Sequence, residues 1–217
     1  MDEAIRLLRE KRYEEALRAL LALDVHEEEF SELSYYIALC YTHLERYDEA
    51  VLYLEQAVTA ELDFTKQYQS RMILGYIYAV TERYRLAEFE FARLLDEGYE
   101  SAKVYAALAH VTYMQQKIST SISHLERALE IDPDNLTAKN SLGFIMADQN
   151  IRLSDALNYC RQAVQARPNN PAYLDSLGWA FYKMGKRKDA KRLLEEASRR
   201  APDEGVIREH LRVVSRV

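Results

Sequence analysis

The sequence predicts an all-α protein made of stacked helix pairs, and three observations support that prediction. Only 6 Gly and 4 Pro occur among the 217 residues, whereas folds rich in turns and sheets need more of both. Segments of similar sequence recur every 34 to 37 residues along the chain. Within each segment the apolar residues follow the period of a helix. Because one helix pair cannot bury its apolar stripe alone, the pairs are expected to stack into an array.

The clearest recurrence is a Leu-Gly pair followed by an aromatic residue. It occurs in "NSLGFIMADQN" and, 35 residues later, in "DSLGWAFYKMG". The position of its glycine is called the small column here, and it holds Ala38, Gly75, Ala109, Gly143 and Gly178. A position without a large side chain lets a neighbouring backbone approach closely. We therefore predict that the small column lies where the two helices of a pair meet.

Two further columns extend the pattern into the second helix of each unit. One is small (Ala16, Ala50, Ala87, Ser121, Ala156, Ala190) and the other is mostly large and apolar (Leu20, Leu54, Phe91, Leu125, Cys160, Leu194). Pro133, Pro168 and Pro202 then end three of these helices. About six units follow, at residues 1–30, 31–67, 68–101, 102–135, 136–170 and 171–204. A last helix at 204–216 is predicted to be a polar cap, since Arg212 replaces the small residue there.

In these features the chain resembles the tetratricopeptide repeat (TPR) family, as a bacterial-type array, over nearly its whole length. The period, the Leu-Gly pair, the later Ala column, the turn "RYDEA" and the closing Pro are the matching features. The resemblance implies a right-handed superhelical α-solenoid whose first helices line a concave face. Some members of the family bind C-terminal carboxylates of chaperones through Lys, Asn and Arg. The equivalent face here has Lys103 alone, so we do not expect that activity.

The concave face supplies the candidate binding residues. The residue after each small-column position points about 100° away from it, which gives Leu39, Tyr76, His110, Phe144 and Trp179. Neighbours about one turn away share that face: Tyr35, His43, Met72, Tyr113, Asn140, Asp148, Asp175, Tyr182 and Lys183. Exposed rings are typical anchors of peptide recognition, so we predict a peptide-binding groove with Trp179 and Tyr76 as leading anchors. The expected ligand is an apolar or aromatic-bearing segment, helical or extended. The alternative is that the rings pack on each other and narrow the groove.

Charge and hydropathy exclude two classes of partner. The net charge of −6 argues against nucleic-acid binding, which needs a basic surface. Residues 183–217 carry 11 Lys and Arg against 6 Asp and Glu, a net of +5 that leaves −11 for the remainder; we interpret this basic end as a solvated surface. There is no run of 18 apolar residues, so no membrane insertion is expected. The sequence does not identify the compartment: the cytoplasm is the default, and the periplasm is the alternative if a signal segment has been removed.

No catalytic or metal-binding motif stands out. A phosphate loop, a CxxC pair and an HExxH motif are all missing from the sequence. Cys40 and His43 are three residues apart, but Cys40 lies in an apolar column and further ligands are lacking. Cys160 likewise lies in an apolar column. We expect no enzyme activity, no cofactor and no metal.

The sequence thus predicts a non-catalytic scaffold that binds a protein or peptide partner in an aromatic-lined groove. Two alternatives remain open at this point. One is a structural module that self-associates, for example as a homodimer. The other is an accessory domain cut from a larger, envelope-associated protein.

Overall fold

A computed structural model describes residues 1–26, 29–59 and 63–216, and these residues form thirteen helices and no strand. The helices are α1 (Asp2–Arg9), α2 (Tyr13–Leu21), α3 (Phe30–His43), α4 (Tyr47–Thr59), α5 (Phe64–Val80), α6 (Tyr84–Asp96), α7 (Ala102–Met114), α8 (Ile118–Ile131), α9 (Leu136–Asp148), α10 (Leu153–Ala166), α11 (Pro171–Lys183), α12 (Arg187–Arg200) and α13 (Gly205–Ser215). The predicted all-α helical-repeat fold is confirmed. In the described parts of the chain, no helix is both long enough and apolar enough to cross a membrane.

The described helices fall into six consecutive pairs followed by α13. One start differs: α5 begins at Phe64 rather than at 68. The cause is Asp63, whose side chain accepts hydrogen bonds from the backbone N–H groups of Thr65 and Lys66. A carboxylate at this position caps the free N–H groups of the first turn and favours a helix start.

The small column lies where the paired helices meet, as predicted. A Cβ atom added to Gly143 would lie 2.6 Å from Cys160 Sγ and 2.8 Å from the carbonyl oxygen of Ala156. A Cβ atom on Gly178 would lie 2.9 Å from Leu194 Cγ. These separations are shorter than van der Waals contact, so the glycines permit a close approach of the two helices.

The chain divides into two compact units, Met1–Glu100 with α1 to α6 and Ser101–Val217 with α7 to α13. The core of the first unit includes the fully buried Leu54 and Leu94 of the second helices. The core of the second unit includes Leu125 and Leu194, which stand in the same repeat column as Leu54. In both units the apolar residues of the repeat columns fill the space between the paired helices.

The first unit also buries a charged group. Arg71 is 8% exposed, and its guanidinium donates hydrogen bonds to Glu90 at 2.9 Å and Glu97 at 3.1 Å. Burial raises the pKa of the Glu90 carboxyl, while Arg71 acts in the opposite direction. The two carboxylates thus allow α5 to bury an arginine, because a buried charge is tolerated when it is paired.

Candidate functional site

The second unit contains a cleft of about 430 Å³. Its walls come from α7, α9 and α11 and from the first turn of α13. The lining residues are His110, Tyr113, Met114, Asn140, Ser141, Phe144, Ile145, Pro171, Ala172, Asp175, Ser176, Ala201, Glu204, Val206 and Ile207. Five predicted site residues therefore meet at one place: His110, Tyr113, Asn140, Phe144 and Asp175. The volume is within the range of ligand-binding clefts.

The apolar part of the cleft centres on Phe144. The Phe144 and Tyr113 rings meet edge to face with their centroids 6.3 Å apart. Met114 and Val206 are 41% and 59% exposed, which is high for apolar side chains lining a cleft. Exposed apolar surface of this kind on a rigid wall is typical of contact sites.

The polar part of the cleft includes a buried amide oxygen without a hydrogen-bond partner, the imidazole of the exposed His110 and the phenol of Tyr113. The Oδ1 atom of Asn140 is buried and has no hydrogen-bond partner in the described structure, an arrangement that is rare in folded proteins. Desolvation by the surrounding atoms lowers the pKa of His110 below its ordinary value. Desolvation, followed by the charge of Asp148, raises the pKa of Tyr113 to about 12. His110 and Tyr113 therefore favour their neutral forms near pH 7.

Trp179 is not an open anchor, and the expectation that it offers a free ring is wrong. The residue is 8% exposed. Its ring stacks on His210 of α13 with the centroids 4.1 Å apart, and its Nε1 donates to Asp148 Oδ1 at 3.1 Å. The reason is that α13 covers the face of α11 on which Trp179 lies.

Asp148, Tyr182 and Lys183 pack around Trp179 and His210, and these five residues are called the closed cluster here. Asp148 Oδ2 also accepts from the Tyr113 hydroxyl at 3.2 Å. Lys183 Nζ donates to the backbone oxygen of Asp148 at 2.7 Å and lies 5.2 Å from the centroid of the Trp179 ring. The Tyr182 ring centroid is 5.1 Å from that of Trp179. At this end of the unit the side chains pack on each other, as the alternative prediction stated.

Asp175 borders both the cleft and the cluster. It is 5% exposed, and both of its carboxylate oxygens lie 2.9 Å from Nδ1 of His210. His210 stands 35 residues after Asp175, just as Asp148 stands 35 residues after Tyr113. Hydrogen bonds between side chains 35 residues apart therefore occur more than once in this unit.

The other five predicted residues lie in the first unit and line no part of the cleft. Tyr35 is 5% exposed, and its hydroxyl donates to Gln69 Oε1. His43 is exposed and stacks on Tyr13. Leu39 and Met72 are half-buried, whereas Tyr76 is 50% exposed. The expectation of an exposed ring therefore holds for Tyr76 and fails for Tyr35.

Sequence reasoning missed several lining residues, notably Met114, Glu204, Val206 and Ile207. Met114 ends α7, and the other three lie at the start of α13. The prediction of a polar cap for α13 does not include its first turn in a site, whereas the structure places that turn in the cleft wall. The available signal in the sequence is the pair of adjacent apolar residues Val206 and Ile207 in "EGVIREH"; in the structure Val206 is exposed and Ile207 is buried.

The two cysteines are packed thiols, as their apolar columns predict. Both are buried, and burial raises the pKa of each thiol to about 12. Such thiols are unreactive near neutral pH. Among residues 1–26, 29–59 and 63–216, no three His, Cys, Asp or Glu side chains come together in a group that could hold a metal ion.

Comparison with known proteins identifies the repeats. Two family models described as tetratricopeptide repeat match residues 1–64 and 152–208. A TPR repeat-containing protein of Pseudomonas aeruginosa is 30% identical over 165 residues, which are 74% of this chain and 27% of that protein. The chain spans 27% and 20% of the lengths of two curated relatives that it matches.

Solved structures show the same fold. YrrB, described as a TPR protein with an unusual peptide-binding site, is 19% identical with a TM-score of 0.62 and covers 84% of this chain and 92% of its own. A chain of the APC/C hetero-tetramer Cut9–Hcn1 is 15% identical with a TM-score of 0.77 and covers 98% of this chain and 41% of its own. The helix pairs, the small column and these matches lead to one conclusion: the chain belongs to the tetratricopeptide repeat family, whose fold is a protein–protein interaction module and is generally non-catalytic.

Proposed function

We propose that this chain is a non-catalytic scaffold that binds a peptide or helical segment of a partner protein in the cleft of its second unit. The observation that carries the proposal is the cleft itself, with an apolar wall around Phe144 and the unpartnered amide oxygen of Asn140 beside it. An apolar surface with a few polar groups that lack partners is typical of a binding site.

The energetics are consistent with a short ligand. Burying an aromatic or large apolar side chain against Phe144 and its neighbours contributes about 2 kcal/mol in a well-packed pocket. Micromolar affinity requires about 8 kcal/mol in total. A segment of about 12 residues, three helical turns in length, can reach that value with two or three such contacts and its backbone hydrogen bonds.

The proposal is tested by selecting random peptides of about 12 residues, displayed on phage, against the purified chain. The selected peptides are then synthesised, and their affinities are measured for the wild type and for two variants. Phe144→Ala removes the centre of the cleft, and Tyr76→Ala removes an exposed ring that lies outside it. Circular dichroism establishes that both variants remain helical.

We expect Phe144→Ala to weaken binding of the selected peptides at least tenfold, which corresponds to the loss of about 1.4 kcal/mol or more. Tyr76→Ala should leave the affinity unchanged. Peptides that bind equally well to Phe144→Ala, or that depend on Tyr76 instead, would contradict the cleft as the binding site. If no peptide is selected and sedimentation detects a stable dimer that covers Phe144, the self-association alternative is favoured.

A further inference from the structure

The charged side chains that line the cleft all carry the same sign. The fifteen lining residues include two carboxylates, Asp175 and Glu204, and no lysine or arginine. The lining imidazole, His110, favours its neutral form because desolvation lowers its pKa. The cleft is therefore a negatively charged site with apolar walls, although the second unit as a whole has 18 Lys and Arg against 13 Asp and Glu, a net of +5.

Glu204 is free to meet a ligand. It is exposed and precedes the first turn of α13, but its side chain accepts no hydrogen bond from that turn. Its carboxylate also forms no ion pair in the part of the chain that the structure describes. An unpaired carboxylate at the rim of an apolar cleft favours a cation placed beside it.

Asp175 supplies a second, more buried carboxylate. Its only hydrogen-bonding partner in the described structure is His210. Asp175 therefore places a second carboxylate in the lining of the cleft, where it adds to the attraction for a cation.

The aromatic rings of the cleft are a third source of attraction for a positively charged side chain. The rings of Phe144 and Tyr113 lie in the same cleft, and ammonium and guanidinium groups are attracted to aromatic rings. A long basic side chain also covers apolar surface with its methylene groups while its charged end reaches outward.

From these contacts we infer that the cleft selects a segment in which an apolar side chain is flanked by lysine or arginine. The inference rests on the proposed function and adds the charge of the ligand to it. The apolar side chain lies against the wall formed by Phe144 and Val206, and the basic side chain points towards Glu204 and Asp175.

Three pools of fluorescein-labelled synthetic peptides test the inference. All pools share the same randomised apolar core, which is flanked by lysine in one pool, glutamine in the second and glutamate in the third. Fluorescence anisotropy measures their binding to the wild type, Glu204→Gln, Asp203→Asn and Phe144→Ala. Asp203 is the matched control, because it is an exposed carboxylate next to Glu204 that does not line the cleft.

We expect the lysine pool to bind about three- to tenfold more tightly than the glutamine pool, and the glutamate pool to bind most weakly. Glu204→Gln should reduce the advantage of lysine about threefold, and Asp203→Asn should leave it unchanged. The advantage should also shrink between about 0.05 M and about 0.5 M salt, because salt screens exposed charges.

Equal binding of the three pools, with Phe144→Ala weakening all of them, would overturn the inference and leave the proposed function standing. An equal effect of Asp203→Asn and Glu204→Gln would also overturn it, since the preference would then come from the overall charge. Failure of every pool to bind in a manner that depends on Phe144 would overturn the proposed function and the inference together.

Discussion

The same repeat position has opposite environments in α5 of the first unit and α11 of the second. Tyr76 and Trp179 both follow a small-column glycine, yet Tyr76 is 50% exposed and Trp179 is 8% exposed. The difference at Trp179 comes from two side chains on other helices, His210 stacked on the ring and Asp148 bonded to its nitrogen. A repeat position thus determines the direction of a side chain, whereas burial depends on the elements packed beside it.

This contrast predicts opposite effects of removing the two rings. Trp179→Ala should lower the free energy of unfolding by about 3–5 kcal/mol, the usual cost of deleting a buried aromatic ring. Tyr76→Ala should cost about 0.5 kcal/mol or less, as is usual at exposed positions. Urea unfolding followed by circular dichroism measures both. Similar small losses for the two variants would mean that Trp179 is as open as Tyr76.

The glycines before these rings provide a second, smaller contrast. A Cβ atom on Gly75 would overlap several atoms of the buried Phe91 ring, including Cδ1 at 2.8 Å. A Cβ atom on Gly178 meets the smaller Leu194. The equivalent positions of two other repeats already combine Ala with Leu, namely Ala38 with Leu54 and Ala109 with Leu125.

Gly75→Ala should therefore destabilise the protein by about 1–3 kcal/mol through overpacking. Gly178→Ala should be close to neutral, because the favourable helix propensity of alanine offsets a small displacement of Leu194. Thermal unfolding of the two variants is the measurement, with the double variant Gly75→Ala and Phe91→Leu as a control for restored packing. A larger loss for Gly178→Ala than for Gly75→Ala would contradict this explanation of the column.

In α7 the repeat position of Tyr76 and Trp179 is occupied by His110. Its titration provides the smallest of the expected effects on stability. Because desolvation lowers its pKa, the folded protein favours the neutral imidazole, and the unfolded chain takes up a proton first as the pH falls. The stability that the neutral form contributes is complete above the ordinary pKa of about 6.5 and is lost as the pH falls through the lower, folded value.

The wild type should therefore lose more stability than His110→Gln between about pH 7 and about pH 5. Urea unfolding at each pH gives the two losses, and their difference removes the contribution of all other titrating groups. An equal loss in the two proteins would show that His110 is as hydrated as in an unfolded chain.

Much of the fold could be predicted from the sequence, because helical periodicity and repeat spacing are local patterns. The helix pairs and the small column follow from spacing alone, and so does the meeting of His110, Asn140 and Phe144 on one face. The early start of α5 could not be derived from the columns, since it depends on the cap at Asp63.

The closed cluster around Trp179 was harder to predict for a physical reason. Periodicity assigns a residue to a face of its helix but does not say what covers that face. The covering residue had a signal in the spacing, because His210 follows Asp175 at the same 35-residue interval that separates Tyr113 from Asp148. Polar pairs at the repeat interval therefore deserve testing as bonds between repeats before they are assigned to a ligand.

The most direct test of this division between a closed cluster and an open cleft is quenching of tryptophan fluorescence by acrylamide. Trp179 is the single tryptophan of the sequence, so the signal reports on one site. We expect weak quenching in the wild type and clearly stronger quenching in His210→Ala, which removes the imidazole stacked on the ring. Quenching of the wild type as strong as that of free N-acetyl-tryptophanamide would contradict the burial of Trp179 and restore it as a candidate binding anchor.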